Sequence, residues 1–138
     1  MFAKIDCTKW PVVVITYNQV KGSKFKELFE GFKLEFMKIL EKASKNGEKC
    51  ILIYNLNKIQ HFNINHGIIE MEFQKKIRNV MKRNVAITYL VTEDRMLRDA
   101  VKMFIKMKYP KDKYYFNKTV DHVLKSLLNE IERAKKAN

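Results

Sequence analysis

Three apolar, β-branched runs constrain this chain more than any other feature. They are residues 12–17 (VVVITY), 50–54 (CILIY) and 85–91 (VAITYLV), and each is followed by a polar loop and then by apolar residues at helical spacing. A run that is apolar on both faces belongs to a strand covered on both sides. Strands alternating with helices at this interval imply right-handed crossovers and a mostly parallel sheet. The stretch after the first run places Phe25, Leu28, Phe29, Phe32, Phe36, Ile39, Leu40 and Ala43 within about a third of the helical circumference, the stripe of a helix lying on a sheet. Ser23 precedes that stripe as an expected N-cap, and Asn46-Gly47 supplies a left-handed stop.

The remaining segments complete the pattern. Residues 2–6 alternate weakly and lead through Cys7-Thr8-Lys9-Trp10-Pro11 into the first run, which reads as an antiparallel hairpin with Pro11 where a missing N–H does least harm. A second helix is expected over 67–82, with Ile69, Phe73, Ile77, Val80 and Met81 on one side. Thr92 is the expected N-cap of a third, striped by Leu97, Ala100, Val101, Phe104 and Ile105 and stopped near Pro110. A short strand at 114–116 precedes a last helix capped by Asn117 or Thr119 and striped by Val123, Leu124, Leu127, Leu128 and Ile131. The expectation is an α/β fold: a mixed, mostly parallel sheet of about five strands with an N-terminal antiparallel hairpin and four helices. No repeat or linker interrupts residues 1–138, so they read as one domain.

Composition sets the class. A content of 46% hydrophobic and 31% charged residues is that of a globular chain, whose aliphatic residues offset the entropy of ordering. Cys7 and Cys50 sit among strand-like residues without CxxC or CxxH spacing, so they read as reduced small hydrophobes of an intracellular, cytoplasmic or nuclear protein. The apolar run near the N-terminus is far shorter than the roughly 20 residues a membrane span needs. The formal net charge of +13 has two readings. One is a positive field that attracts nucleic acid, anionic lipid or an acidic protein. The other is codon bias, since lysine greatly outnumbers arginine and accompanies abundant Asn and Ile.

Several stretches resemble the STAS superfamily, in particular its stand-alone SEC14-like and anti-sigma-factor-antagonist-like domains. They are the first apolar run leading to Gly22-Ser23 and a long amphipathic helix, the segment Cys50-Ile51-Leu52-Ile53-Tyr54-Asn55-Leu56 with its loop and helix, and Asn84-Val85-Ala86-Ile87-Thr88-Tyr89 with its helix, ending in Phe116-Asn117-Lys118-Thr119-Val120-Asp121-His122-Val123. The resemblance implies a non-enzymatic module that binds a protein partner, a second copy of the chain included. It also marks a departure. Where the antagonists end a strand in Asp-Leu-Ser and start the next helix with Asp-Ser-x-Gly, this chain has Asn55-Leu56-Asn57 and Asn63-Ile64-Asn65, leading to His66 and Gly67. No hydroxyl stands at the family's switch position, so a phosphoserine switch is not expected there.

Loops at the carboxyl ends of parallel strands are where ligands gather in open α/β sheets. The partner or ligand loop expected there carries Asn55, Asn57, His61, Asn63 and His66. No GxGxxG or GxxxxGK[ST] cradle is present, which argues against a dinucleotide enzyme or a P-loop ATPase. His61 and His66 could shuttle protons, yet no serine or cysteine lies near them in sequence to complete a triad, and no catalytic residue is assigned. His66 and Glu70, one turn apart, could form part of a metal site, but two candidate ligands lack a third and a surface hydrogen bond is the plainer reading, so no metal and no cofactor is expected. Lys75, Lys76, Lys82 and Arg83 form a basic helix face, and Lys106 and Lys108 belong to a second positive group around Tyr109, Tyr114 and Tyr115 that could hold phosphates and stack bases. These make sequence-nonspecific nucleic-acid binding the alternative function, with a lipid or an anionic small ligand third.

Overall fold

The β-branched runs form the middle of a five-stranded sheet in the computed structural model, which describes residues 2–20, 22–108 and 113–137, without the side chains of Gly22, Ser23, Lys108 and Ala137. The strands are β1 (Ala3–Lys9), β2 (Val12–Tyr17), β3 (Cys50–Asn55), β4 (Val85–Val91) and β5 (Tyr115–Asn117), in the spatial order β1-β2-β3-β4-β5. β1 is antiparallel to β2 and the other pairs are parallel. The helices are α1 (Gly22–Asn46), α2 (Ile64–Lys76), α3 (Arg78–Asn84), α4 (Arg95–Lys108) and α5 (Val120–Ala137). The mixed α/β sheet is the one expected from the sequence.

Strand order that equals chain order has a geometric consequence. Every right-handed crossover steps the same way across the sheet, so the connecting helices must stack on one face. Phe29 and Phe36 of α1, Met71 of α2 and Leu97 and Phe104 of α4 accordingly share one core with Val13, Ile15, Leu52 and Leu90. Only α5 reaches the opposite face, where Val123, Leu124 and Leu127 pack on Val12, Ile53 and Val91. The central strands are thus apolar on both sides because both sides are covered. Among the described residues no helix is long and apolar enough to cross a membrane.

Several local expectations are corrected. β1 continues to Lys9, leaving Trp10 and Pro11 as the turn, and its pairing slips between Asp6 and Lys9, where Asp6 Oδ1 accepts from the Thr8 N–H (2.9 Å) and hydroxyl (2.7 Å). α1 already includes Ser23, which is therefore not the residue before it. Its expected stop holds: Gly47 has φ 63°, and the Glu48 N–H reaches the Ala43 carbonyl while the Gly47 N–H reaches that of Ser44. The helix expected over 67–82 starts earlier, with Asn63 as N-cap accepting from the His66 N–H at 3.2 Å, and it breaks at Ile77 (φ −102°, ψ 18°). The break re-aims the chain so that Ile77, Val80 and Met81 pack on the same core as Phe73, and five helices result instead of four. Asp94 rather than Thr92 caps α4, its Oδ1 accepting from the N–H groups of Met96 and Leu97, while the Thr92 hydroxyl accepts from the Asp94 N–H. Thr119 caps α5 through the His122 N–H at 3.2 Å, and Asn117 instead ends β5, one residue later than expected. Pro110 lies outside the described residues.

Candidate functional site

A cavity of about 130 Å³ opens at the carboxyl ends of β2, β3 and β4, beneath the helices that cover the larger face. Tyr17, Tyr54 and Leu90 at the strand ends form its floor, α2 gives it Gly67, Glu70 and Met71, and α4 gives it Leu97, Val101 and Phe104. The position follows from topology, since parallel strands leave a crevice where their chains turn away into helices. Gly67 keeps the crevice open. A Cβ there would stand 2.8 Å from Phe62 Cζ and 3.3 Å from Phe104 Cε1, so any side chain would drive these two rings apart or into the space. Its volume is comparable to that of an engineered apolar cavity of about 150 Å³ that admits benzene, so one aromatic ring is its natural occupant.

One carboxyl lies in this apolar space. Glu70 is surrounded by protein but keeps part of its surface toward the cavity, and its Oε1 accepts from the Tyr17 hydroxyl at 2.8 Å. Burial lifts its carboxyl to about 7, with the Tyr17 hydrogen bond pulling the other way. Gln74, one turn on, is held at both ends: its Nε2 donates to the Tyr54 hydroxyl at 3.2 Å and its Oε1 accepts from Tyr114 at 3.1 Å. Burial pushes the Tyr17 and Tyr54 hydroxyls well above the ordinary tyrosine range, so they stay protonated. At the mouth the His66 ring stacks on Phe25 with centroids 3.8 Å apart and planes 4° from parallel. Burial lowers its pKa, which keeps the imidazole neutral at neutral pH.

The structure divides the residues expected in the ligand loop. His61, Asn63 and His66 line the cavity mouth, where Gln19 clamps the backbone by accepting from the N–H groups of Gln60 (2.8 Å) and His61 (3.1 Å). Asn55 and Asn57 do not reach it. Asn55 Oδ1 accepts from the Asn57 N–H, and Asn57 ties three loops together by accepting from the Glu93 N–H at 2.7 Å and donating to the Lys118 carbonyl at 3.4 Å. Their role is to hold the strand ends. Asn57→Ala should therefore lower stability by about 1 kcal/mol, read by chemical denaturation, without changing what the cavity binds.

Glu70 and its tyrosine partners were not legible as a site in the sequence. The signal that marks them is a carboxylate one turn from His66 and three residues before Phe73, inside the helix's apolar side, together with tyrosines near the ends of two buried strands. His66 and Glu70 take different partners: His66 stacks on Phe25, Glu70 bonds to Tyr17, and no group of three metal-ligating side chains occurs among the described residues. The cysteines are free, and burial pushes the Cys50 thiol up to about 11, an unreactive state.

The basic residues fall outside the cavity. Lys75, Lys76, Lys82, Arg83 and Lys106 are exposed, and the break at Ile77 puts the first two on a different helix from the next two. Lys82 lines a shallow, separate groove of about 320 Å³ with Arg78 and Lys113, beyond Gln74 and Tyr114. Tyr114 packs inward and Tyr115 is exposed, so they do not form one stacking platform; the side chain of Lys108, and Tyr109, lie outside the described residues. Reversing Lys75, Lys76, Lys82 and Arg83 to Glu should leave the melting temperature nearly unchanged, each site being exposed, and if this face holds nucleic acid, low-salt retention of duplex DNA in filter binding should be lost with it.

Among the described residues that line the cavity there is no Ser, Thr or Cys to serve as a nucleophile, and no Lys or Arg. The arrangement can enclose an apolar body and present a carboxyl that exchanges its proton near neutrality. No family model, curated protein or solved structure matches this chain.

Proposed function

We propose that this protein is a small-molecule-binding domain that takes a mainly apolar one-ring body into the cavity between its sheet, α2 and α4. The observation that carries this reading is a crevice with mainly apolar walls at the strand ends, held open at Gly67 and polar on its floor only where Glu70, Gln74 and three tyrosines are fixed by one another. Recognition sites of this kind combine an apolar wall with a few fixed polar groups. A fixed network also avoids the cost of ordering those groups when the ligand arrives.

Gly67→Leu tests the reading. The neutral probe 2-phenylethanol should bind the parent protein saturably in calorimetry, and the added isobutyl group should weaken that binding by about tenfold or more through occupation of the same space. An unchanged affinity would place the probe elsewhere.

Binding of a protein partner, the role implied by the resemblance, is a second reading that one surface feature favours. Met96, Ala100, Met103 and Met107 follow one another along α4 at helical spacing, and the three methionines are exposed. Methionine-rich surfaces adapt to partner side chains and are over-used at binding faces. Converting the three methionines to Gln should abolish any dimer detected by light scattering if this stripe is the contact.

A further inference from the structure

The chemistry of the cavity departs from that of the rest of the molecule. The chain carries 28 Lys and Arg residues, yet none of the described residues lining the cavity is one of them, and Glu70 is the only carboxylate among those described residues. A carboxylate surrounded by protein ordinarily has a cation or several donors for its second oxygen, because an unpaired buried charge is costly. Glu70 Oε1 has the Tyr17 hydroxyl, while Oε2 has no partner among the described residues. The rings of Tyr17, Tyr54, Phe25, Phe62 and Phe104 line the same space. Aromatic faces attract an organic cation, and a carboxylate among them supplies the counter-charge.

From the cavity's size, its aromatic walls and the open oxygen of Glu70, we infer that its ligand is a primary or secondary amine on a one-ring apolar body, bound as the ammonium with Glu70 as its counter-ion. The inference rests on the small-molecule reading above and adds the ligand's class to it. An anionic ligand is disfavoured in this cavity, because it would face Glu70 with no cation among the described lining residues to meet it. A neutral alcohol would fill the same space and forgo the ion pair.

Binding of an ammonium requires Glu70 to give up its proton, which sets a pH dependence. With the carboxyl at about 7, amine affinity should rise about tenfold between pH 6 and pH 8 and level off above. The other titratable groups lining the cavity with Glu70 are Tyr17 of β2, Tyr54 of β3, His61 in the loop before α2, Tyr114 ahead of β5 and His66 on its own helix. Tyr17 and Tyr54 keep their protons across this range, and burial lowers the pKa of His66. Glu70→Gln should abolish the dependence, which assigns it to Glu70, and a dependence that survives in that variant would overturn the inference.

Three probes sharing a phenyl ring decide the matter by calorimetry at pH 8: 2-phenylethylamine, 2-phenylethanol and 3-phenylpropionate. The amine should bind at least tenfold more tightly than the alcohol, and the acid more weakly than either. In Glu70→Gln, which keeps an acceptor for Tyr17, the amine should lose its preference and bind no more tightly than the alcohol. An alcohol that binds as tightly as the amine would overturn the inference and leave the small-molecule reading in place. A tightest-binding acid, or an amine preference that survives Glu70→Gln, would also overturn it. Failure of all three probes would overturn both readings together.

Discussion

Phe29→Ala lowers the stability of this protein by about 3 to 5 kcal/mol, the largest effect expected of any single substitution here. Phe29 is 1% exposed, and its ring centroid lies 5.4 Å from that of Phe25, 5.8 Å from those of Phe32 and Phe73, and 6.0 Å from that of Phe2. Four rings from three segments therefore lose a common neighbour, and the close-packed surroundings cannot collapse fully into the void. The Lys33 ammonium, 5.3 Å from the same centroid, loses its aromatic face as well. Chemical denaturation reads the loss directly, and Leu34→Ala serves as the contrast. Leu34 is on the same helix but 70% exposed, so its removal should change stability by no more than about 0.5 kcal/mol. Equal losses at the two positions would mean that α1 is turned on its axis from the register described.

Glu70→Gln stabilises the protein at alkaline pH and does nothing at pH 4. The carboxyl is raised from 4.5 to about 7 in the folded state, so the fold holds this proton more tightly than the unfolded chain does. The stability linked to it is complete below pH 4.5 and is lost as pH rises through 7. Glutamine cannot ionise and escapes the loss. The rise from 4.5 to about 7 corresponds to about 3 kcal/mol, and since Glu70 keeps part of its surface toward the cavity, a gain of about 2 to 3 kcal/mol is expected at pH 8.5. Denaturant titrations of both proteins at pH 4 and pH 8.5 measure the difference free of the general effects of the +13 charge, which both share over that range apart from residue 70. A variant less stable than the parent at pH 8.5 would mean that the ionised carboxylate is already paired. A residue that weakens its own protein at working pH is the pattern of a site kept for binding.

The sheet was legible because its information is local. The β-branched runs, the phenylalanine stripe of α1 and the Asn46-Gly47 stop each declare themselves within a few residues, and the crossover rule then assembles them. Errors arose where two local signals compete. Thr92 and Asp94 are both good caps two residues apart, and the helix takes the aspartate because the threonine hydroxyl is used by the Asp94 N–H. Ile69, Phe73, Ile77, Val80 and Met81 fit one continuous helix on paper, but packing on a twisted sheet is met by a break at Ile77 that adjacent sequence does not announce. The cavity was least legible. Tyr17, Glu70 and Tyr114 are separated by more than forty residues at each step, and Tyr114 reads equally well as part of a lysine-rich surface cluster until the fold turns it toward Gln74. Of the loop positions singled out by the strand-end rule, His61, Asn63 and His66 line the mouth of the cavity. Asn55 and Asn57 satisfy the same rule and serve the loops instead.

Backbone amide shifts of the labelled protein during titration with 2-phenylethanol locate a ligand residue by residue. Occupation of the cavity predicts saturable changes concentrated at Gly67, Glu70, Leu90 and Val101, with Val123, Leu124 and Leu127 on the far side of the sheet unmoved. Changes that fail to saturate, or that gather on the α5 face, would contradict the assignment of the cavity as the binding site.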